Sequence, residues 1–153
     1  MNINKVLSIN IIGIIMFSFA CNYTYGQDLK KHIWKNRILI IKTLKETTKK
    51  YHDQINQFKN SEEALLERKC IMYIIEGDKY TSFDYGNNSK KHTGKISKET
   101  RDLFDQNKKF EVLLIGLDGK VKLQQPSVLL KETFLNKIDG MPMRYNEVLR
   151  KGR

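Results

Sequence analysis

Two short stretches of the chain are apolar without interruption: residues 37–43 (RILIIKT), with Ile38, Leu39, Ile40 and Ile41 in succession, and residues 70–75 (CIMYII). Both are brief and rich in β-branched residues, and neither alternates with polar positions. That pattern fits strands covered on both faces, as in a parallel sheet. Between them Leu44, Thr48, Tyr51, Ile55 and Phe58 recur at steps of four and three, while Lys49, Lys50, Asp53 and Lys59 fill the other directions. This spacing predicts an amphipathic helix of about four turns over 44–58. Ala64, Leu65 and Leu66 add a further turn within 62–69.

Beyond the second run the signals are more local. Glu76-Gly77-Asp78 ends the strand. Residues 80–93 mix Asn, Ser, Gly and Lys without a period and read as a loop. Ser97 offers a side chain to cap a short helix over 97–107. Residues 110–117 and 121–124 flank Asp118-Gly119, a pair suited to a type I′ hairpin turn. Val121 and Leu123 alternate with Lys120, Lys122 and Gln124, as on an edge strand guarded by lysine. Pro126-Ser127 opens a last helix with Val128, Leu129, Phe134, Leu135 and Ile138 as its stripe, and Gly140 stops it. Met141-Pro142-Met143-Arg144 then begins a basic tail. The expected order is β-α-β-α-β-β-α: an α/β sandwich with a mixed four-stranded sheet and flanking helices, in thioredoxin-like order. No repeat or linker divides residues 27–153, so one domain is expected, with its core over 34–147.

The first residues have a different character. Lys5 precedes an apolar stretch over 6–20, short of the roughly 20 residues that span a membrane. It fits the apolar core of a secretory signal. Thr24 and Gly26 stand at −3 and −1 of a cut before Gln27, so residues 1–26 are expected to be a signal peptide and the protein to be exported, periplasmic or extracellular. One alternative makes Cys21 a lipidated cysteine behind Ala20, although Ser18 stands where a lipobox prefers Leu. Another leaves the signal uncleaved. The membrane enters as a partner only in those two cases.

Composition narrows the classes further. The chain has 153 residues, 28 Lys+Arg against 17 Asp+Glu, a formal charge of +11 and 40% hydrophobic residues. That balance excludes a polar disordered chain and a multi-span membrane protein. Lysine outnumbers arginine 22 to 6, and the lysines are scattered. No aromatic and basic residues interleave as a stacking platform, so nucleic acid is not an expected partner. The densest basic group is Arg144, Arg150, Lys151 and Arg153, read as part of a solvated tail.

Four motifs carry a family likeness: Trp34-Lys35-Asn36-Arg37 running into the first strand, Glu67-Arg68-Lys69 before the second, Gly116-Leu117-Asp118-Gly119-Lys120-Val121-Lys122 at the hairpin, and Ile138-Asp139-Gly140-Met141-Pro142-Met143-Arg144 near the end. The last two are the most specific. With these the stretch from Trp34 to Glu147 resembles a bacterial family called domain of unknown function 4174. The resemblance implies a thioredoxin-like domain in exported or envelope proteins, and brings no established activity or catalytic residue.

Thioredoxin-like enzymes hold a thiolate where the first strand meets the first helix, because the helix N-terminus lowers the thiol pKa there. In this chain that place, residues 42–48, has no cysteine, and Asn107-Lys108-Lys109 before Phe110 has no proline. Dithiol exchange and one-cysteine peroxidase chemistry are therefore not expected. Cys70 reads as a small buried residue at a strand start, with a redox role as the alternative. His32, His52 and His92 read as surface residues. His52 and Asp53 point about 100° apart on a helix and cannot share an ion. Glu62-Glu63, Asp102 with Asp105, and Glu46 read as solvated charge. No CxxC, HxxxH, GxSxG, P-loop or GxGxxG pattern exists, so neither metal nor cofactor is expected. The expectation is a non-catalytic binding or accessory module of the bacterial envelope, whose partner is an envelope protein or a small ligand. The expected face comprises Arg37, Thr43, Lys45, Thr47 and Arg144. An enzyme using non-thiol chemistry at that face and an anion-binding accessory protein are the alternatives.

Overall fold

The computed structural model describes residues 27–86 and 90–151. The expected signal peptide, Cys21 and Arg153 lie outside them. Strand β1 (Arg37–Thr43) and strand β2 (Cys70–Glu76) run side by side and parallel, with Arg37 opposite Cys70 and Thr43 opposite Glu76. Strand β5 (Phe110–Ile115) pairs antiparallel with the other side of β1, and β6 (Val121–Gln125) forms the edge beyond it. On the far side of β2 lie β3 (Lys79–Asp84) and β4 (Lys90–Lys95), both antiparallel to their neighbours. The sheet is mixed and six-stranded, in the order β4-β3-β2-β1-β5-β6.

Helices flank both faces, and this explains the unalternating runs. On β1, Leu39 and Ile41 point to one side, where they meet Phe58, Leu65, Val112, Phe134 and Ile138. This layer comes from α2 (Lys49–Gln57), α3 (Glu62–Glu67) and α5 (Lys131–Asp139). Ile38 and Ile40 point to the other side, against Leu29, Tyr73, Ile96 and Phe104, beside α1 (Gln27–Lys30) and α4 (Lys98–Arg101). Each fully buried Leu, Ile or Phe contributes about 1.5–3 kcal/mol of transfer free energy, so two apolar layers on one sheet supply most of the folding drive. Asp28 clips the start of the described chain to α4 by accepting hydrogen bonds at 2.8 Å from Ser97 Oγ and Thr100 Oγ1.

Several expectations are corrected. The sheet has six strands rather than four because residues 80–93 are not a loop throughout: they contribute to a β3–β4 hairpin. Gly77 takes φ +60, the conformation a two-residue Gly-Asp turn needs at its first position. Gly94 faces Tyr80, and a Cβ there would stand 2.8 Å from the Tyr80 ring. Gly94, just past the stretch read as a loop, thus leaves room for the Tyr80 ring on an edge strand, and Lys90, Lys91 and Lys95 protect that edge.

The helix expected over 44–58 starts only at Lys49. Thr48 has extended dihedrals and accepts from the Tyr51 N–H, so it caps the helix and leaves Leu44 exposed outside it. The hairpin at Asp118-Gly119 is present, but only Gly119 has positive φ (+74). Gly119 N–H donates to Gly116 O and Gly116 N–H to Lys120 O, a longer loop than a type I′ turn. The last helix begins at Lys131 rather than at Pro126, because Gln54 holds the backbone of Leu129 by both its N–H (2.6 Å) and its C=O (3.0 Å). The expected basic tail is helix α6 (Pro142–Lys151), opened by a proline at its first position, where a missing N–H costs nothing.

Candidate functional site

The five residues expected to form one binding face fall at two ends of β1. Arg37 begins the strand and Thr43 ends it, about 20 Å apart at 3.3 Å per residue. Lys45 and Thr47 are exposed beyond Thr43, and Arg144 is buried beside Arg37's end.

At the C-terminal end, hydroxyl groups close the chain on itself. Thr43 Oγ1 donates to Lys45 O at 2.9 Å and lies 3.2 Å from Thr48 Oγ1, which caps α2. Beside this turn Glu111 is buried on β5. It accepts from Asp105 N–H at 2.9 Å and from Gln124 Nε2 at 3.0 Å, and Lys42 lies 3.7 Å away. Glu111 thereby fastens the segment before β5 to the sheet. The sequence reading missed it because an acid within an apolar strand carries no local sign of its partners. An open cleft of about 720 Å³ lies here, lined by Leu44, Glu46, Glu76 and Tyr80 among others.

At the N-terminal end the charges are concentrated. Arg68 grips Asp139 through Nε (3.0 Å) and Nη2 (2.6 Å), a bidentate pair. Arg144, which is 3% exposed, donates to the Glu67 carboxylate, to Glu67 O at 3.0 Å and to Asp139 at 3.3 Å. Burial alone would raise the Asp139 pKa, but hydrogen bonds and charge from Arg68 and Arg144 hold it below its ordinary value. At Arg144 burial would lower the pKa, and hydrogen bonds and charge from Glu67 and Asp139 outweigh it and raise it. The expected solvated patch of Arg144, Arg150 and Lys151 is therefore corrected: Arg144 faces inward, and only Arg150 of the other two has a described, exposed side chain.

Arg37 is wholly buried. Its Nη1 donates to Arg68 O (2.8 Å) and Glu147 (3.2 Å), while Nε and Nη2 have no hydrogen-bond partner among the described residues. It lines a cleft of about 530 Å³ with Leu117, Asp118, Met141, Pro142 and Met143. Asp118 is held by Lys122 at 2.7 Å and accepts from Lys120 N–H. Burial would raise its pKa, and these contacts outweigh that and lower it. Trp34, at φ +64 and 67% exposed, ties the start of β1 to the hairpin through its N–H to Leu117 O. Of the residues singled out in the sequence motifs, Arg37, Asp118, Met141, Pro142 and Met143 thus share one cleft. Gly119 and Arg144 lie beside it in sequence.

Two further groups with candidate chemistry, Cys70 and His32, are buried. Cys70 is buried, and burial pushes its thiol up to about 12, so it is protonated at neutral pH. His32 is corrected from a surface residue to a buried one. It lies 2.7 Å from Tyr73 Oη and 3.2 Å from Asn36, and burial lowers its pKa. No group of three metal-ligating side chains occurs among the described residues, and none of their helices is long and apolar enough to cross a membrane.

The molecule is thus an α/β protein built on a six-stranded mixed sheet, with a basic cleft at one end of its central strand. It belongs to the family described as Domain of unknown function (DUF4174), whose profile matches residues 28–147. No curated protein and no solved structure matches the chain.

Proposed function

We propose that the chain is an exported thioredoxin-like domain that has no thiol chemistry and serves as a binding module of the bacterial envelope. The core of the sheet supports this reading. Strands β2-β1-β5-β6 combine a parallel pair with a closing antiparallel hairpin, and helices cover both faces. The β3–β4 hairpin then extends a thioredoxin-like sheet at its β2 edge. One observation carries the functional half. Where β1 ends and a redox relative would present its thiolate, Thr43 and Thr48 bond to each other. The thiol that the fold does contain, Cys70, is buried at the opposite end of the sheet.

The test is turnover by the purified protein. Reduction of insulin and consumption of peroxide are expected at the rate of buffer alone, and turnover at ordinary oxidoreductase rates overturns the reading. Export is tested by mass spectrometry of the processed N-terminus. Gln27 is the expected first residue, and an intact Met1 contradicts cleavage. A lipid on Cys21 would replace a free protein by a membrane-anchored one.

A further inference from the structure

We propose that the cleft over Arg37 binds the carboxylate of a small ligand with an apolar body. The argument begins with the guanidinium. Its two unpartnered donors, Nε and Nη2, lie on the same edge, and that edge matches the two oxygens of a carboxylate side-on. Nη1 is already engaged by Arg68 O and Glu147, which fixes the fork in place before any ligand arrives. Burying such donors without an acceptor is costly, and an acceptor delivered through the cleft would remove that cost.

The surroundings select the rest of the ligand. The cleft wall includes the first turn of the ten-residue helix α6, whose leading N–H groups lack acceptors within the helix and carry its positive end. Lys137 stands exposed at the rim, while Asp118 is already neutralised by Lys122. Leu117, Met141 and Met143 give the cleft an apolar lining, and methionine adapts to varied shapes. The volume, about 530 Å³, lies within the range of small-molecule sites. A carboxylate on an apolar body fits this mixture better than a phosphate, whose additional charged oxygens would be desolvated against Leu117, Met141 and Met143. The inference rests on reading the chain as a binding module and names the ligand class of that module.

The experiment titrates the purified protein with sodium octanoate, 1-octanol and inorganic phosphate, followed by NMR of backbone amides and of the Arg37 Nε–H. Octanoate is expected to shift Arg37 Nε–H and the amides of Gly140, Met141 and Met143. Octanol should bind about tenfold more weakly, the scale of a lost charge-assisted bond. Arg37→Lys keeps the charge and loses the fork, and should weaken octanoate about tenfold with the fold intact by circular dichroism. Lys137→Glu, on an exposed helix face, should weaken it a few-fold whether or not the first variant folds. Equal affinity for octanol, tighter binding of phosphate, or octanoate shifts that avoid the cleft each overturn the carboxylate site. Thiol turnover by the same preparation would sink the binding-module reading, and an unperturbed cleft without such turnover would sink the site alone.

Discussion

The two ends of β1 solve the same problem in opposite ways. At the Thr43 end, Thr43 and Thr48 satisfy each other and the turn backbone, and the buried Glu111 is satisfied separately by Asp105 N–H and Gln124. At the Arg37 end, three arginines from distant parts of the chain converge on Glu67, Asp139 and Glu147, and one guanidinium edge has no partner among the described residues. The difference bears on where the proposed binding would fall. A turn whose polar groups are mutually satisfied has little to offer a ligand. A rigid cluster with surplus donors has an unmet demand, already oriented.

The comparison can be broken most forcefully at Arg144. Arg144→Ala removes one of the two arginines that Glu67 and Asp139 share, Arg68 remaining on both, and is expected to destabilise the protein by about 2 kcal/mol, below the range for broken buried pairs because both acids reach solvent and keep Arg68. Urea denaturation measures this, and a loss within the scatter of surface substitutions would mean that the cluster is not a structural unit. Acid titration probes the same group. The Asp139 pKa is depressed in the folded state, so its contribution is present above the ordinary carboxylate value of about 3.9 and is lost as the pH falls through the folded value. Arg144→Ala should flatten that part of the stability curve.

Thr48→Ala tests the other end. Removing the cap of α2 should cost about 1 kcal/mol by thermal or chemical melting, without affecting octanoate binding at the Arg37 cleft. His32 gives a still milder signature. Its folded pKa lies below about 6.5, so its contribution is full above that pH and declines as the pH falls towards the folded value. His32→Gln should remove that slope. Smallest of all, Lys45→Ala and Thr47→Ala, both exposed, should change stability by less than about 0.5 kcal/mol. A large loss of partner binding in either variant would return the functional face to the Thr43 end and overturn the contrast between the two ends.

What was legible in the residues was what local pattern controls. The two aliphatic runs announced a parallel pair with both faces covered, and Arg37–Thr43 and Cys70–Glu76 are that pair. The small, apolar character of Cys70 announced burial, and the lysine-studded strand at Val121–Gln125 announced an edge. The β3–β4 hairpin was missed because the edge strand β4 is polar and lysine-rich and β3 scatters Tyr80 and Phe83 among Thr, Ser and Asp, so neither shows the alternation that marks a half-buried strand. Yet Gly77-Asp78 between the Ile74-Ile75 run and Tyr80-Thr81 was a usable turn signal. Helix α6 was missed because its apolar positions are few and largely exposed, with Pro142 as its one clear sign.

The amino-acid sequence by itself determined the parallel core, its two-sided burial and the lack of a thiol where β1 ends, because each of these follows from residue type and near-neighbour spacing. Tertiary structure alone decided which charges meet. Arg37 and Glu147 are separated by 110 residues, Arg144 and Glu67 by 77. Nothing in the local pattern of a charged residue states its distant partner, or reveals that one edge of Arg37 has none among the described residues. Only the packing of α6 and the hairpin against the start of β1 turns scattered motif residues into one cleft.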